Sequence, residues 1–263
     1  MTDSVIIAAA QLDAPPNDHA GALALLERTL ASAGEAELVV LPELALCGYG
    51  DPARIRRLAV PLDHAFVGEV AAVARRAGKG LIAGYAERDG DVLYNAALAI
   101  GPDGAMRGNY RKAHLWGGYE RDLFAPGTPS PVMPWGPLHL GLLICYDLEF
   151  PEAARDLALR GADTLVVISA TSVPYDVVPE ALVPARGYET GCHVVFANWA
   201  GSDGGFEFLG ASRITAPDGE VLAAAPGQGG ALAAATVGRG RVVAWRGGHG
   251  YLADRRPDLY RWT

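Results

Sequence analysis

Short runs of β-branched and aliphatic residues constrain this chain more than any other feature. Leu165-Val166-Val167-Ile168 shows no polar alternation, so it reads as a strand covered on both faces, as parallel sheets packed by helices require. Similar runs recur at Val5 to Ala10, Leu38 to Leu41 and Leu81 to Tyr85, separated by segments with apolar residues at helical spacing. Leu23, Leu26 and Leu30 mark one helix, ending before Gly34; Phe66, Val70, Val73 and Ala77 mark another, closed by Gly78. The order predicted is β-α-β-α-β. Asn95 to Ile100 and Ala105 to Arg111 flank Gly101-Pro102-Asp103-Gly104 as a hairpin.

The second half repeats the plan. A strand is expected over Leu138 to Ile144, then a helix from Pro151 to Arg160 stopped by Gly161, with Pro151 suited to its first turn. A strand over Thr164 to Ile168, a helix over Pro179 to Thr190, a strand over His193 to Ala197 and a hairpin turning at Pro217-Asp218-Gly219 complete the reading. The fold class is therefore α/β. With 263 residues and no linker-like stretch, one domain spanning 1–263 is expected.

Composition excludes several function classes. Twenty-two Lys and Arg against 30 Asp and Glu give a formal charge of -8, with the basic residues scattered, which argues against a nucleic-acid surface. No run reaches the ~18 apolar residues of a membrane span, and Met1-Thr2-Asp3-Ser4 lacks a charged leader region. No membrane partner and a cytoplasmic address follow as expectations. Cys47, Cys145 and Cys192 are odd in number and widely spaced, which suits neither a disulfide framework nor a zinc site.

Three motifs fall at or just beyond predicted strand ends: Leu41-Pro42-Glu43-Leu44 with Gly48-Tyr49 following, Tyr110-Arg111-Lys112-Ala113-His114-Leu115, and Leu143-Ile144-Cys145-Tyr146-Asp147. The carboxyl ends of strands are where open α/β folds hold ligands. A carboxylate, an ammonium and a thiol from separate strands could meet there. Taken singly, Cys145 could be an inert core thiol, Glu43 a helix cap and Lys112 a strand-edge charge.

Together these motifs resemble the carbon–nitrogen hydrolase (nitrilase) superfamily, over nearly the whole chain. The likeness extends through Glu120-Arg121-Asp122-Leu123-Phe124-Ala125-Pro126-Gly127, Cys145 to Glu152, Pro184-Ala185-Arg186 with Glu189, and Ala197-Asn198. It implies an α-β-β-α sandwich that pairs with a second copy as a homodimer or higher assembly, and a Glu-Lys-Cys triad of Glu43, Lys112 and Cys145. The C-terminal stretch Trp245 to Trp262, rich in Tyr, Trp and Arg, has the composition of an interface.

The chemistry implied is hydrolysis of a small aliphatic carboxamide through a cysteinyl thioester, with no metal or organic cofactor. A cysteine with an ordinary pKa near 8.5 needs either a lowered pKa or a base, and Glu43 takes the second role. Lys112 and the amide of Tyr146 would hold the oxyanion. Glu120 would orient Lys112 and the substrate, its alternative being a surface ion pair beside Arg121. His114 is implied as loop support, His139, His193 and His249 as surface or packing residues, and Cys47 and Cys192 as structural thiols.

Within the superfamily the chain looks most like the branch containing 5-aminopentanamidase and the R-stereoselective amidases, through Pro174-Tyr175-Asp176 and Cys145 to Pro151. It departs from that branch at Thr171, where asparagine is expected, and at Trp199. Tyr49, Trp116, Thr171, Asp176 and Trp199 are the expected substrate-binding residues, with Asp176 and Glu180 the acids placed to meet an ammonium. An N-carbamoyl amine hydrolase and an omega-amidase are the enzymatic rivals; an acyltransferase and a non-catalytic scaffold are the readings from other classes.

Overall fold

The structure, a computed structural model, describes residues 3–259. In chain order, β1 (Ser4–Gln11), α1 (His19–Ser32), β2 (Leu38–Val40), α2 (Pro52–Leu58), α3 (Ala65–Ala77), β3 (Gly80–Asp89), β4 (Val92–Ile100) and β5 (Met106–Arg111) form the first half. The short α4 (Gly117–Arg121) leads to β6 (Val132–Trp135), β7 (Leu138–Ile144), α5 (Pro151–Leu159), β8 (Thr164–Ser169), α6 (Val183–Thr190) and β9 (His193–Asn198). A hairpin of β10 (Ala200–Asp203) and β11 (Phe206–Leu209), then β12 (Arg213–Thr215), β13 (Val221–Ala224), β14 (Ala231–Gly238) and α7 (Arg239–Gly248) follow.

Two six-stranded sheets result, ordered β14-β1-β2-β3-β4-β5 and β13-β12-β9-β8-β7-β6. The β1-β2-β3 and β7-β8-β9 pairs are parallel, and the flanking pairs antiparallel. Side-chain alternation explains the layering. Ile7, Val40, Leu140, Val166 and Val195 meet in one cluster between the sheets. Their neighbours point outward: Ala8, Val39 and Leu81 pack under Leu26, Leu30 and Val70 of α1 and α3, while Leu165, Val167 and Val194 pack under Leu157 and Val183 of α5 and α6. The layers are thus α-β-β-α, and the apolar runs are apolar because both faces of each strand are covered.

Several elements differ from expectation. The helix expected from Pro179 opens as a π-helical turn over Val178–Leu182 before α6 begins. The hairpin β10-β11, the edge strand β14 and the helices α2, α4 and α7 have no expected counterpart. Most are short or edge elements whose patterns are too brief or too polar to show a period. No helix among the described residues is long and apolar enough to cross a membrane. The part of the expected interface stretch at Tyr260 to Trp262 lies outside the described residues.

Candidate active site

Glu43 sits in the turn that leaves β2. Leu41 N–H still donates to Ile82 O at 2.8 Å, and Gly84 N–H on β3 donates to Pro42 O at 3.3 Å. A Cβ at Gly84 would stand well inside contact distance of Leu44 N and Pro42 O, so the glycine lets this turn lie flat on the neighbouring strand. Lys112 follows β5 directly; its N–H donates to Asn95 O and its C=O accepts from Gly127 N–H, both at 2.8 Å. Cys145 follows β7, at φ 48°, the first residue of a short 3-10 helix, Cys145–Glu149. That left-handed conformation is strained for a residue with a side chain and turns the thiol out of the strand line.

The three residues therefore come from two sheets. Lys112 Nζ donates to Glu43 Oε1 and Glu120 Oε1, each at 2.7 Å, and all three side chains are fully buried. The surface-pair alternative for Glu120 is ruled out by this burial. Tyr49 OH donates to Glu120 Oε1 at 2.8 Å, and Trp116 N–H donates to Glu120 Oε2 at 2.8 Å. Glu43 Oε1 also accepts from Asn95 Nδ2 at 2.6 Å, while Glu43 Oε2 is buried without a partner among the described residues. An ammonium has three N–H donors, so Lys112 retains one beyond its two carboxylates.

Charge in this cluster is distributed by burial. Desolvation pushes Glu43 up to about 7, with Lys112 opposing and Glu120 reinforcing the rise. Burial alone would lower Lys112, yet the charges of Glu120 and Glu43 hold it well above the usual lysine range. Desolvation, reinforced by the Glu43 charge, pushes Cys145 up to about 12. The thiol is therefore neutral at physiological pH, and a carboxylate poised near neutrality is close enough to act on it electrostatically.

The second wall is held by Asp147, which accepts from Ile144 N–H at 3.0 Å, Tyr110 OH at 2.8 Å and His114 N–H at 2.9 Å. It ties the segment after β5 to the turn of Cys145. His114 Nδ1 lies 2.7 Å from the same carboxylate, and its ring stacks on Phe150 at 4.1 Å, as loop support would. Cys145 Sγ is 3.7 Å from Thr171 Oγ1, which bonds Ser169 Oγ at 2.7 Å. The Tyr146 N–H, in the first turn of the 3-10 helix, has no acceptor among the described residues, as helix starts leave their donors free.

Cys145 opens onto a narrow cavity of about 20 Å³ that Tyr49, Trp116 and Thr171 also line. Other expected binding residues lie elsewhere. Trp199 does not line it: the indole is buried, and its N–H donates to Glu43 O at 2.7 Å, so it buttresses the turn from β9. Asp176 and Glu180 are exposed and outside the lining; the π-helical turn carries Glu180 toward Arg213, whose charge it supports. Tyr146 contributes only its backbone, since its ring packs edge-on against Phe150 at 4.9 Å.

Sequence reasoning missed Asn95, Asp147, Glu149, Tyr175 and Phe206. A polar Asn inside the apolar run Asn95 to Ile100 was the available signal for the first. Phe206 and Tyr175 join the lining from the unforeseen hairpin and from the loop after β8. Cys47 and Cys192 are fully buried; desolvation raises both, Cys47 to about 12. No group of three or more His, Cys, Asp or Glu among the described residues could hold a metal ion.

Comparison with known proteins places the chain in a family. Residues 6–247 match the carbon-nitrogen hydrolase family model. A hydrolase encoded in the pqqF 5' region of Pseudomonas protegens is 40% identical over 248 residues, 93% of this chain and 87% of that protein. An (R)-stereoselective amidase of Pseudomonas sp. is 34% identical over 239 residues, 89% and 86% of the two chains. A solved structure of the amidase from Nesterenkonia sp. AN1, with acrylamide added at its active-site cysteine, superposes with TM-score 0.85 at 32% identity over 97% of this chain and 98% of that one. The chain accordingly belongs to the carbon-nitrogen hydrolase family, with the fold of the nitrilase-superfamily amidases, and is a hydrolase of carbon–nitrogen bonds other than peptide bonds.

Proposed function

We propose that the protein hydrolyses a small aliphatic carboxamide to carboxylate and ammonia through a thioester on Cys145, the whole chain working as one carbon–nitrogen hydrolase domain. The observation that carries this reading is the buried, unpartnered Glu43 Oε2 of a carboxylate whose charge acts on a neutral thiol. A thiol held up to about 12 cannot attack as a preformed thiolate, so a base must take its proton during attack.

Glu43, near 7, takes that proton as Sγ bonds to the amide carbon and the C=O electrons move to oxygen. The third N–H of Lys112 and the free N–H of Tyr146 hold the oxyanion, a contribution of ~3 to 4 kcal/mol per donor in other acyl-transfer enzymes. The intermediate collapses, the C–N bond breaks and the Glu43 proton leaves with ammonia. Water then gives a proton to Glu43 and attacks the thioester; the acid departs and the thiol recovers its proton. Glu120 positions Lys112 through the 2.7 Å contact and holds Tyr49 at the cavity wall.

Ammonia release from a panel of primary amides, with intact-mass detection of the acyl-enzyme, tests the reading. Turnover with an adduct on Cys145 is expected. Turnover retained in Cys145→Ala overturns it.

We also propose that the enzyme is cytoplasmic and works as a homodimer. Support for pairing comes from a partly exposed aromatic group in which Tyr188 meets Trp245 at 4.9 Å and Tyr251 at 5.4 Å, with Val243, on the same helix as Trp245, exposed as well. Light scattering at micromolar concentration should give the mass of a dimer.

A further inference from the structure

Among the described residues, Glu149 is the one carboxylate lining the cavity of Cys145, and no Lys, Arg or His lines it. The 3-10 helix that begins at Cys145 ends at Glu149, so one short element carries both groups. Its carboxylate has no hydrogen-bond or ion-pair partner among the described residues, although its backbone C=O accepts from Arg186 Nη2 at 2.9 Å. Arg186 is not free to neutralise it, since that guanidinium also donates to Leu148 O and Glu189 Oε1. Lys112 is already shared between Glu43 and Glu120. Burial pushes the Glu149 carboxyl up, with the charges of Lys112 and Arg186 pulling the other way.

The remaining walls favour a cation as well. Trp116 meets Tyr175 at 6.0 Å and Phe206 at 6.3 Å, both edge-on, and all three line the cavity. Aromatic faces stabilise an ammonium by ~0.5 to 2 kcal/mol, whereas a substrate carboxylate would meet the unpaired Glu149 and no cationic side chain in the lining described.

We propose that Glu149 is the specificity-determining residue of this site, and that it selects amides bearing an ammonium group on a short chain away from the carbonyl. The inference rests on the amidase reading of the same cavity and adds to it the residue that chooses the substrate class. The short chain follows from the fold: one 3-10 helix, Cys145–Glu149, carries both groups, so an ammonium that reaches Glu149 stays close to the thiol.

The test compares kcat/KM for three near-isosteric pairs at one ionic strength: glycinamide with propanamide, 3-aminopropanamide with butanamide, and 5-aminopentanamide with hexanamide. In at least one pair the amine should be preferred by about tenfold or more, as a charge-assisted hydrogen bond provides. Glu149→Gln should bring that ratio close to one through KM of the amine, and Glu149→Asp, which keeps the charge, should retain part of it. Wild-type ratios within twofold for every pair overturn the inference while leaving the amidase reading intact, as does a ratio that survives Glu149→Gln. Turnover of neither amines nor neutral amides overturns both.

Discussion

The two walls of the cleft are built on opposite principles. The wall from the first sheet is a closed electrostatic unit: Lys112 shares its charge between Glu43 and Glu120, and Asn95 and Tyr49 donate to the same two oxygens, all buried away from water. The wall from the second sheet is open. Cys145 is only partly buried, its Sγ lies 3.7 Å from Thr171 Oγ1, and Glu149 lines the cavity unpaired among the described residues. The difference teaches that charge is prepared in advance on one side and reactivity is kept uncommitted on the other. Preorganised charge is what makes a buried site effective, because nothing has to reorient during reaction.

Substitution separates the walls most sharply. Lys112→Ala should remove measurable turnover and also destabilise the fold, since two buried carboxylates lose their partner; such losses run to ~3–5 kcal/mol, or roughly 10 °C in Tm for a chain of this size. Cys145→Ala should abolish turnover with Tm nearly unchanged. Thermal melts and ammonia assays on the two variants check this. Equal stability of both would show that the first wall is not the closed unit its distances describe.

The pH profile sharpens the comparison further. Glu43 acts as a base in its ionised form, and its raised value of about 7 means that protonation disables it below that pH. The kcat/KM is expected to fall about tenfold per unit below pH 7 and to stay flat from pH 8 to 10, because Cys145 near 12 gains no thiolate there. An acid limb centred near the ordinary carboxylate value would instead make the first wall solvated.

The smallest effect concerns the thiols outside the cleft. Cys47→Ala and Cys192→Ala should keep kcat within about twofold and cost ~1 kcal/mol in urea melts, as buried packing losses of a single sulfur do. A large loss of activity from either would mean that burial does not separate the three cysteines.

The sequence was most legible where physics is local or where spacing is rigid. Strand β2, the core of β8 and the Leu142-Leu143-Ile144 end of β7 are continuous apolar runs because both faces are covered, and Glu43, Lys112 and Cys145 stand where those runs or the β5 pattern stop. Glu120 was harder, since α4 spans only Gly117–Arg121 and gives no period to read. The cavity lining was least legible. Trp199 follows β9 as its motif suggests, but which way an indole turns depends on a carbonyl 156 positions away in the chain. Asp176 and Glu180 were assigned to the cavity from loop position alone, and the π-helical turn at Val178–Leu182 lies outside what periodicity can reveal. Glu149 lay in plain view four residues beyond Cys145, but only the 3-10 geometry brings it to the cavity.

Gly84 gives the fold an unusual relation between mutation and activity. Its backbone is one that any residue can adopt, and the strand around it is well paired, so an alanine there meets no conformational objection; the obstacle is the Pro42–Leu44 turn lying against it. A side chain at this position therefore strikes the turn that carries the base as well as the core packed around it. A methyl group there would have to lift the turn, and Glu43 with it, out of the place it now holds. Silent relatives of this enzyme are to be looked for first in that one strand, before any change appears among the charged residues themselves.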